Sequence, residues 1–344
     1  MVIALARELL LRKGENTETV ETIYFGGGTP SVLTTDEINF LIDTVRQNYP
    51  VSENAEITLE ANPDDLSKTK IVELAKSEVN RLSIGIQSFF DDDLEMMNRA
   101  HSASEAKISL TEAGKYFDNI SIDLIYGIPG MSEDKWRKNI KTALAYNTAH
   151  ISSYALTVEP KTALRKMIDK GTMLAPTDEA AQRHFEILVE VLQKKGYVHY
   201  ELSNFGKPDF FSKNNSAYWL GKKYIGIGPS AHSYNGISRS WNVPNNALYL
   251  KAIENGELPH EIEMLSATDR YNEYVMTGLR TIWGVDLNRV EQEFGENYLE
   301  YLLNQADRFV NSQLLEVVGQ VLKTTSKGKF LADGIASDLF LVTK

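Results

Sequence analysis

Polar side chains at the ends of apolar, strand-like runs are the first sign of chemistry in this chain. Glu60 closes "ITLEANP", Gln87 closes "RLSIGIQSF" and Asp123 lies inside "SIDLIYGIPG". A carboxylate inside an apolar strand is costly unless it is paired, and a buried amide needs partners from protein or ligand. Glu60 can accept hydrogen bonds from ribose hydroxyls or an amine, or serve as a helix cap or surface ion pair. Arg99, in "MMNRAHSA", suits a ligand carboxylate, or stands as a surface cation. Upstream, "ETIYFGGGTPSVL" runs a strand into glycines 26–28, then Thr29 and Pro30. Without Cβ atoms the backbone there can approach a ligand closely, or the run is a tight strand-to-helix turn. Its spacing matches neither a Walker loop nor a dinucleotide fingerprint.

A second glycine loop, "GIGPSAHSY", carries His232, and a lone histidine is more often structural than a ligand. His101, His150, His184, His199 and His260 are scattered without an i, i+4 pair, so an ordinary metalloenzyme centre is not expected. The sequence has no cysteine, which removes disulfides, a thiolate nucleophile and cysteine-ligated zinc or iron–sulfur sites from this chain.

The elements that must position these residues alternate. Strands are expected over 22–25, 57–60, 82–87, 120–126 and 150–156, with helices between them. Thr34 and Glu37 form a capping box ahead of Ile38, Leu41, Ile42 and Val45 on one helical face. Trp136, Ile140, Ala143 and Leu144 repeat that spacing, as do Phe185, Leu188, Val189 and Leu192. The pattern fits an open doubly wound sheet or part of a barrel, and polar residues at several strand ends favour the barrel, whose mouth would gather them. Beyond residue 197, "YVHYELSNFGKP" and "YWLGKKYIGIGPSAHSYNG" read as strands and binding loops. From Thr268 three helices precede a hairpin turning at Gly319 and Gln320, then a last helix with Phe330, Ile335 and Leu339. That is winged-helix-like, and reads as a packing or lid module.

With 36 Lys and Arg against 47 Asp and Glu, the chain carries a net charge of −11, which argues against nucleic acid as a partner. No apolar run is long enough to span a bilayer, and the amino terminus is amphipathic, without a secretory pattern.

In order, "TIYFGGGTPSVL", "ITLEANP", "RLSIGIQSF", "NRAHSA", "ISIDLIYGIPG", "ISSYALTVEPKT", "YELSNFGKP", "AYWLGKKYIGIGPSAHSY" and "TSKGKFLADGIASDLF" resemble the HemW/HemN group of radical SAM proteins along the whole chain. The length suits the HemW-type haem chaperone better than the longer oxygen-independent coproporphyrinogen III oxidase. The resemblance implies an α/β fold, a partial (β/α)6 barrel lacking its first strand, with a small winged-helix-like domain. The implied divisions are a barrel over 1–200, a barrel-closing segment over 201–265 and the terminal domain over 266–344. It implies S-adenosylmethionine (SAM) against Gly27, Gly28 and Thr29, with Glu60, Gln87, Arg99 and Asp123 at its polar contacts and Ala155 and His232 less securely matched. It further implies a [4Fe–4S] cluster in the full-length family form, haem as cargo, an electron donor, and respiratory haem acceptors through which a cytoplasmic protein would meet the membrane.

Two departures stand out. The family's C-x3-C-x2-C cluster motif is absent, so Met1 is expected to lie downstream of the natural start or the chain to be truncated, and as given it is not expected to cleave SAM reductively. An unpaired barrel edge would then favour dimerisation or aggregation. Where HemW-type proteins carry HNxxYW, this chain reads Asn214, Asn215, Ser216, Ala217, Tyr218, Trp219. Asparagine is a poor iron ligand; Tyr218 and Trp219 remain able to stack on a porphyrin, or pack as aromatic core. The remaining readings are an oxidative decarboxylase of coproporphyrinogen and a cluster-free SAM- or haem-binding protein.

Overall fold

A computed structural model describes residues 1–342. It opens on helix α1 (Val2–Arg12) and then alternates: β1 (Val20–Phe25), α2 (Thr35–Asn48), β2 (Val51–Ala61), α3 (Lys68–Leu74) and β3 (Arg81–Gln87). The run continues with α4 (Asp91–Met96), α5 (Ala103–Ala113), β4 (Ile120–Tyr126), α6 (Glu133–Ala145) and β5 (His150–Ala155). After α7 (Ala163–Asp169) and α8 (Asp178–Lys194), the antiparallel strands β6 (Val198–Glu201) and β7 (Asn204–Gly206) complete a sheet ordered β1-β2-β3-β4-β5-β7-β6. Its first five strands are parallel, and it curls into a half-barrel. The sheet thus runs on across residue 200.

Period-2 alternation explains the curl's two faces. Ile57 and Leu59, then Leu82, Ile84 and Ile86, then Ile122 and Leu124 pack with Ile38, Ile42, Trp136 and Ile140 of the helices in one buried core. The opposite face carries Glu56, Thr58 and Glu60, then Arg81 and Ser83, then Ser121 and Asp123, then His150 and Ser152. Helix α2 forms where its capping box predicts, Thr34 and Glu37 satisfying each other's backbone N–H.

Residues 207–264 pack on the half-barrel through α9 (Lys213–Trp219) against β1 and through α10 (Asn246–Glu254) against α1. Helix α9 (Lys213–Trp219) stands where composition suggested strand and loop. Its start is fixed from afar: the Glu56 carboxylate accepts the N–H groups of Lys213 and Asn214 at 3.0 and 3.1 Å, and the Ser212 hydroxyl accepts that of Asn215. A carboxylate on unsatisfied N–H groups at a helix N-terminus is stabilising. Strands β8 (His232–Tyr234) and β9 (Ser238–Asn242), helix α10 (Asn246–Glu254) and strand β10 (His260–Met264) follow, the strands forming a small antiparallel sheet. Helix α1 is pinned to this segment by the buried Glu8, which accepts from Gly228 N at 2.8 Å, Asn242 Nδ2 at 2.7 Å and the Tyr249 hydroxyl at 2.6 Å.

The terminal domain has its own core of Tyr271, Val275, Val290, Leu302 and Leu322. It comprises α11 (Ala267–Leu279), β11 (Val285–Asp286), α12 (Leu287–Phe294), α13 (Glu296–Asn311), the hairpin β12 (Leu315–Val318) and β13 (Val321–Thr324), and α14 (Ala332–Asp338). The hairpin turns at Gly319 and Gln320, as expected. Backbone bonds from Leu202 to Arg280 and from Ile282 to Tyr200, each 3.0 Å, join the domain to the edge of the main sheet. Among the described residues, no helix is long and apolar enough to cross a membrane.

Candidate functional site

Strand β1 ends at Phe25, and the chain turns through Gly27 and Gly28 with φ of +73° and +67°. Only glycine adopts these values cheaply, and a Cβ at either position would meet no protein atom within 4 Å. The loop therefore faces open space. Glu60, at the end of β2, accepts the Tyr24 hydroxyl at 2.6 Å and the Gly27 N–H at 3.3 Å, tying the loop to the next strand. Burial and the adjacent Glu60 carboxylate push the Tyr24 hydroxyl far above its ordinary range.

The register places Ser83 beside Glu60, and the Ser83 hydroxyl donates to Asp123 at 3.2 Å. Burial raises the Asp123 carboxyl to about 6, against the lowering pull of the Ser152 hydroxyl and the Arg81 guanidinium. On the other side of Ser83, β3 shifts register before Gln87, whose φ is +63°. A Cβ on Gly85 would stand 3.0 Å from Gln87 Nε2 and 3.2 Å from an Arg99 terminal nitrogen, so glycine here lets these two side chains converge. Arg99 also donates to Asn62 Oδ1 at 2.9 Å.

Gly27, Gly28, Glu60 and Gln87 therefore lie at the carboxyl ends of β1 to β3, Arg99 reaches Gln87 from the loop after α4, and Asp123 lies midway along β4 beside Ser83. Thr29 follows the glycines and is exposed, and Ala155 is exposed at the end of β5, paired with Tyr126 of β4. His232 is not joined to this group: it is exposed at the start of β8, its ring 6.1 Å from that of Trp241. The glycine loop preceding it is occupied by α1, Arg12 donating to the Gly226 carbonyl at 2.8 Å.

Several residues not singled out by pattern complete the site. Arg81 is only 2% exposed, lies 3.7 Å from Glu56, and leaves Nε and one terminal nitrogen without a hydrogen-bond partner. His150 donates or accepts at Ser121 (2.8 Å) and Tyr200 (2.8 Å), and burial beside Arg81 keeps it neutral well below its ordinary range. A cleft of about 330 Å3 adjoins the mouth at Tyr24; Tyr154, Asn204, Arg280 and, from α9, Tyr218 and Trp219 line it, while Glu60, Gln87, Arg99 and Asp123 do not. Arg280 lies 4.8 Å over the Trp219 ring and is itself held by Glu201 at 3.1 Å and Asp333 at 2.6 Å. The same Tyr218 and Trp219 bound a second, larger groove on the side of the terminal domain.

The donor set fits SAM: free backbone at an open glycine turn, carboxylates for an amine or ribose, a guanidinium for a carboxylate, and an amide for either. It does not fit a thiolate-held iron–sulfur cluster, because the sequence contains no cysteine.

The family model for the Radical SAM superfamily matches residues 4–143, and that for the HemN C-terminal domain matches residues 265–331. The chain is 33% identical to the heme chaperone HemW of Mycobacterium tuberculosis over 98% of its own length and 85% of that protein. It is 33% identical to that of Bacillus subtilis over 92% and 84%. Among solved structures, the coproporphyrinogen III oxidase HemN of Escherichia coli superposes with a TM-score of 0.83 at 23% identity, covering 98% of this chain and 82% of that one. At that identity the likeness speaks for the fold.

Proposed function

The chain belongs to the HemW family of radical SAM proteins, and on that premise we propose that it binds SAM at the barrel mouth and carries haem for haem-requiring respiratory proteins. The observation that carries this reading is the similarity to heme chaperones along 98% of the chain. In the proposed site, Gly27, Gly28 and Thr29 offer backbone groups, and Glu60 and Asp123 accept from amine or hydroxyl donors. Arg99 neutralises a carboxylate, Gln87 orients by its amide, and Ala155 forms the opposite rim. His232, standing apart, is the outlying member of the set. SAM would bring a sulfonium centre, the source of the family's radical chemistry; the chain's own residues bind, orient and exclude water around it. This sequence offers no thiolate for a cluster. Tyr218 and Trp219 are the proposed porphyrin-stacking pair. Asn214 stands where HemW-type proteins have histidine, and its carboxamide oxygen accepts from the Thr22 hydroxyl at 3.2 Å.

Calorimetry with SAM and absorbance titration with haem test this reading on the chain as it stands. Saturable heat with SAM and a saturable Soret shift with haem are expected. No heat with SAM overturns the mouth assignment, and no spectral change with haem overturns the carrier reading.

A further inference from the structure

The groove beyond the Tyr218–Trp219 wall encloses about 660 Å3, within the range that holds an organic ligand of several fused rings. Tyr218, Tyr224 and Tyr234 line it in series, with ring centroids 5.6 and 6.3 Å apart. Met276 and Phe294 of the terminal domain add apolar surface. Its charges are not equally committed. Arg239 is paired with Glu273 at 2.7 Å, Arg289 with Glu293 at 2.8 Å, and Asp269 is engaged in capping α11 through Ser266. Arg270 also lines the groove, yet among the described residues it meets no carboxylate within ion-pair distance, and its buried Nε has no hydrogen-bond partner. A guanidinium left open beside aromatic faces recognises a ligand that is both planar and anionic.

We infer that this groove seats the ring of a tetrapyrrole dicarboxylate, with Arg270 holding a propionate. The inference rests on the carrier reading and adds a location: the cargo lies outside the barrel mouth, across the α9 wall from the SAM site. Recognition then depends on the ring and its carboxylates, and iron need not be present.

Fluorescence titration of the full chain with iron-free protoporphyrin IX and with its dimethyl ester separates the two ideas. The wild type is expected to bind the diacid about tenfold more tightly than the ester. Arg270→Gln should abolish that preference and Arg270→Lys restore part of it, with far-ultraviolet circular dichroism unchanged. Diacid affinity equal in the wild type and Arg270→Gln overturns the placement and leaves the carrier reading standing. Failure of the wild type to bind either haem or protoporphyrin overturns both.

Discussion

At the barrel mouth the groups on offer are charges and exposed backbone: Glu60, Asp123 and Arg99 near an open glycine turn. Across the short helix α9, the groove presents tyrosine rings and one uncommitted guanidinium. The mouth is made by strand ends that a single sheet brings into register, so each group there is braced by its neighbour. The groove is made where residues 218–239 meet a terminal domain with its own core, and its shape depends on how firmly the two are held. The contrast teaches that one short helix borders both cavities, and that a residue far earlier in the chain fixes its start.

That residue is Glu56, and removing it should give the largest effect. Its carboxylate faces the buried Arg81 and accepts the first N–H groups of α9. Glu56→Ala leaves a buried cation without its counter-charge, a change that costs about 3–5 kcal/mol. Urea denaturation should show a loss of that size, and both SAM and porphyrin affinities should fall together. A loss below about 1 kcal/mol, or an effect on one ligand alone, would break the idea of a shared support.

Asp123 should separate the two regions. An unfolded aspartate titrates near 3.8 and the folded one near 6, so between these values the folded protein holds a proton that the unfolded chain has released. The contribution to stability is fully present below about 4 and disappears as pH rises through 6. Each tenfold change in proton affinity is worth roughly 1.4 kcal/mol, so relative to Asp123→Asn the wild type should become less stable by up to about 3 kcal/mol from about pH 4 to about pH 7. SAM affinity should rise over the same interval in the wild type as the carboxylate forms, and not in Asp123→Asn, whereas the pH dependence of porphyrin affinity, set by the ligand's own propionates, should be the same in both proteins. Denaturation curves and calorimetry across that interval check this; identical slopes for wild type and Asp123→Asn would remove Asp123 from the mouth's electrostatics.

Much of the mouth was legible because strand periodicity carries it. Glu60, Gln87 and Asp123 interrupt apolar runs, and the fold sets them on neighbouring strands, the first two at strand ends and Asp123 midway along β4. Arg81 was not legible, because a cation at the first position of a strand looks like a loop residue until the strand beside it is known. Glu56 fell outside the expected strand 57–60, which in fact begins at Val51. Helix α9 was hidden by its Asn- and Tyr-rich composition, and what fixes its start, Glu56, lies far earlier in the chain. The groove had no local signature at all, since its lining runs from Tyr218 to Phe340. Long-range junctions of this kind depend on side chains that no periodic pattern relates.

The smallest effect concerns the wall itself. Arg280 holds the Trp219 ring, and two carboxylates hold Arg280: Glu201, which is buried, and Asp333, which is exposed. An exposed partner of this kind contributes at most about 1 kcal/mol, so Asp333→Asn should leave thermal stability nearly unchanged while Glu201 keeps the guanidinium in place. Coupling between two ligands requires that one alter the contacts available to the other. With Trp219 fixed, neither should, and SAM affinity measured with and without saturating protoporphyrin is expected to agree within about twofold in the wild type and in Asp333→Asn. Competition between the ligands in the wild type would mean that mouth and groove form a single site, and the distinction drawn between them would fail.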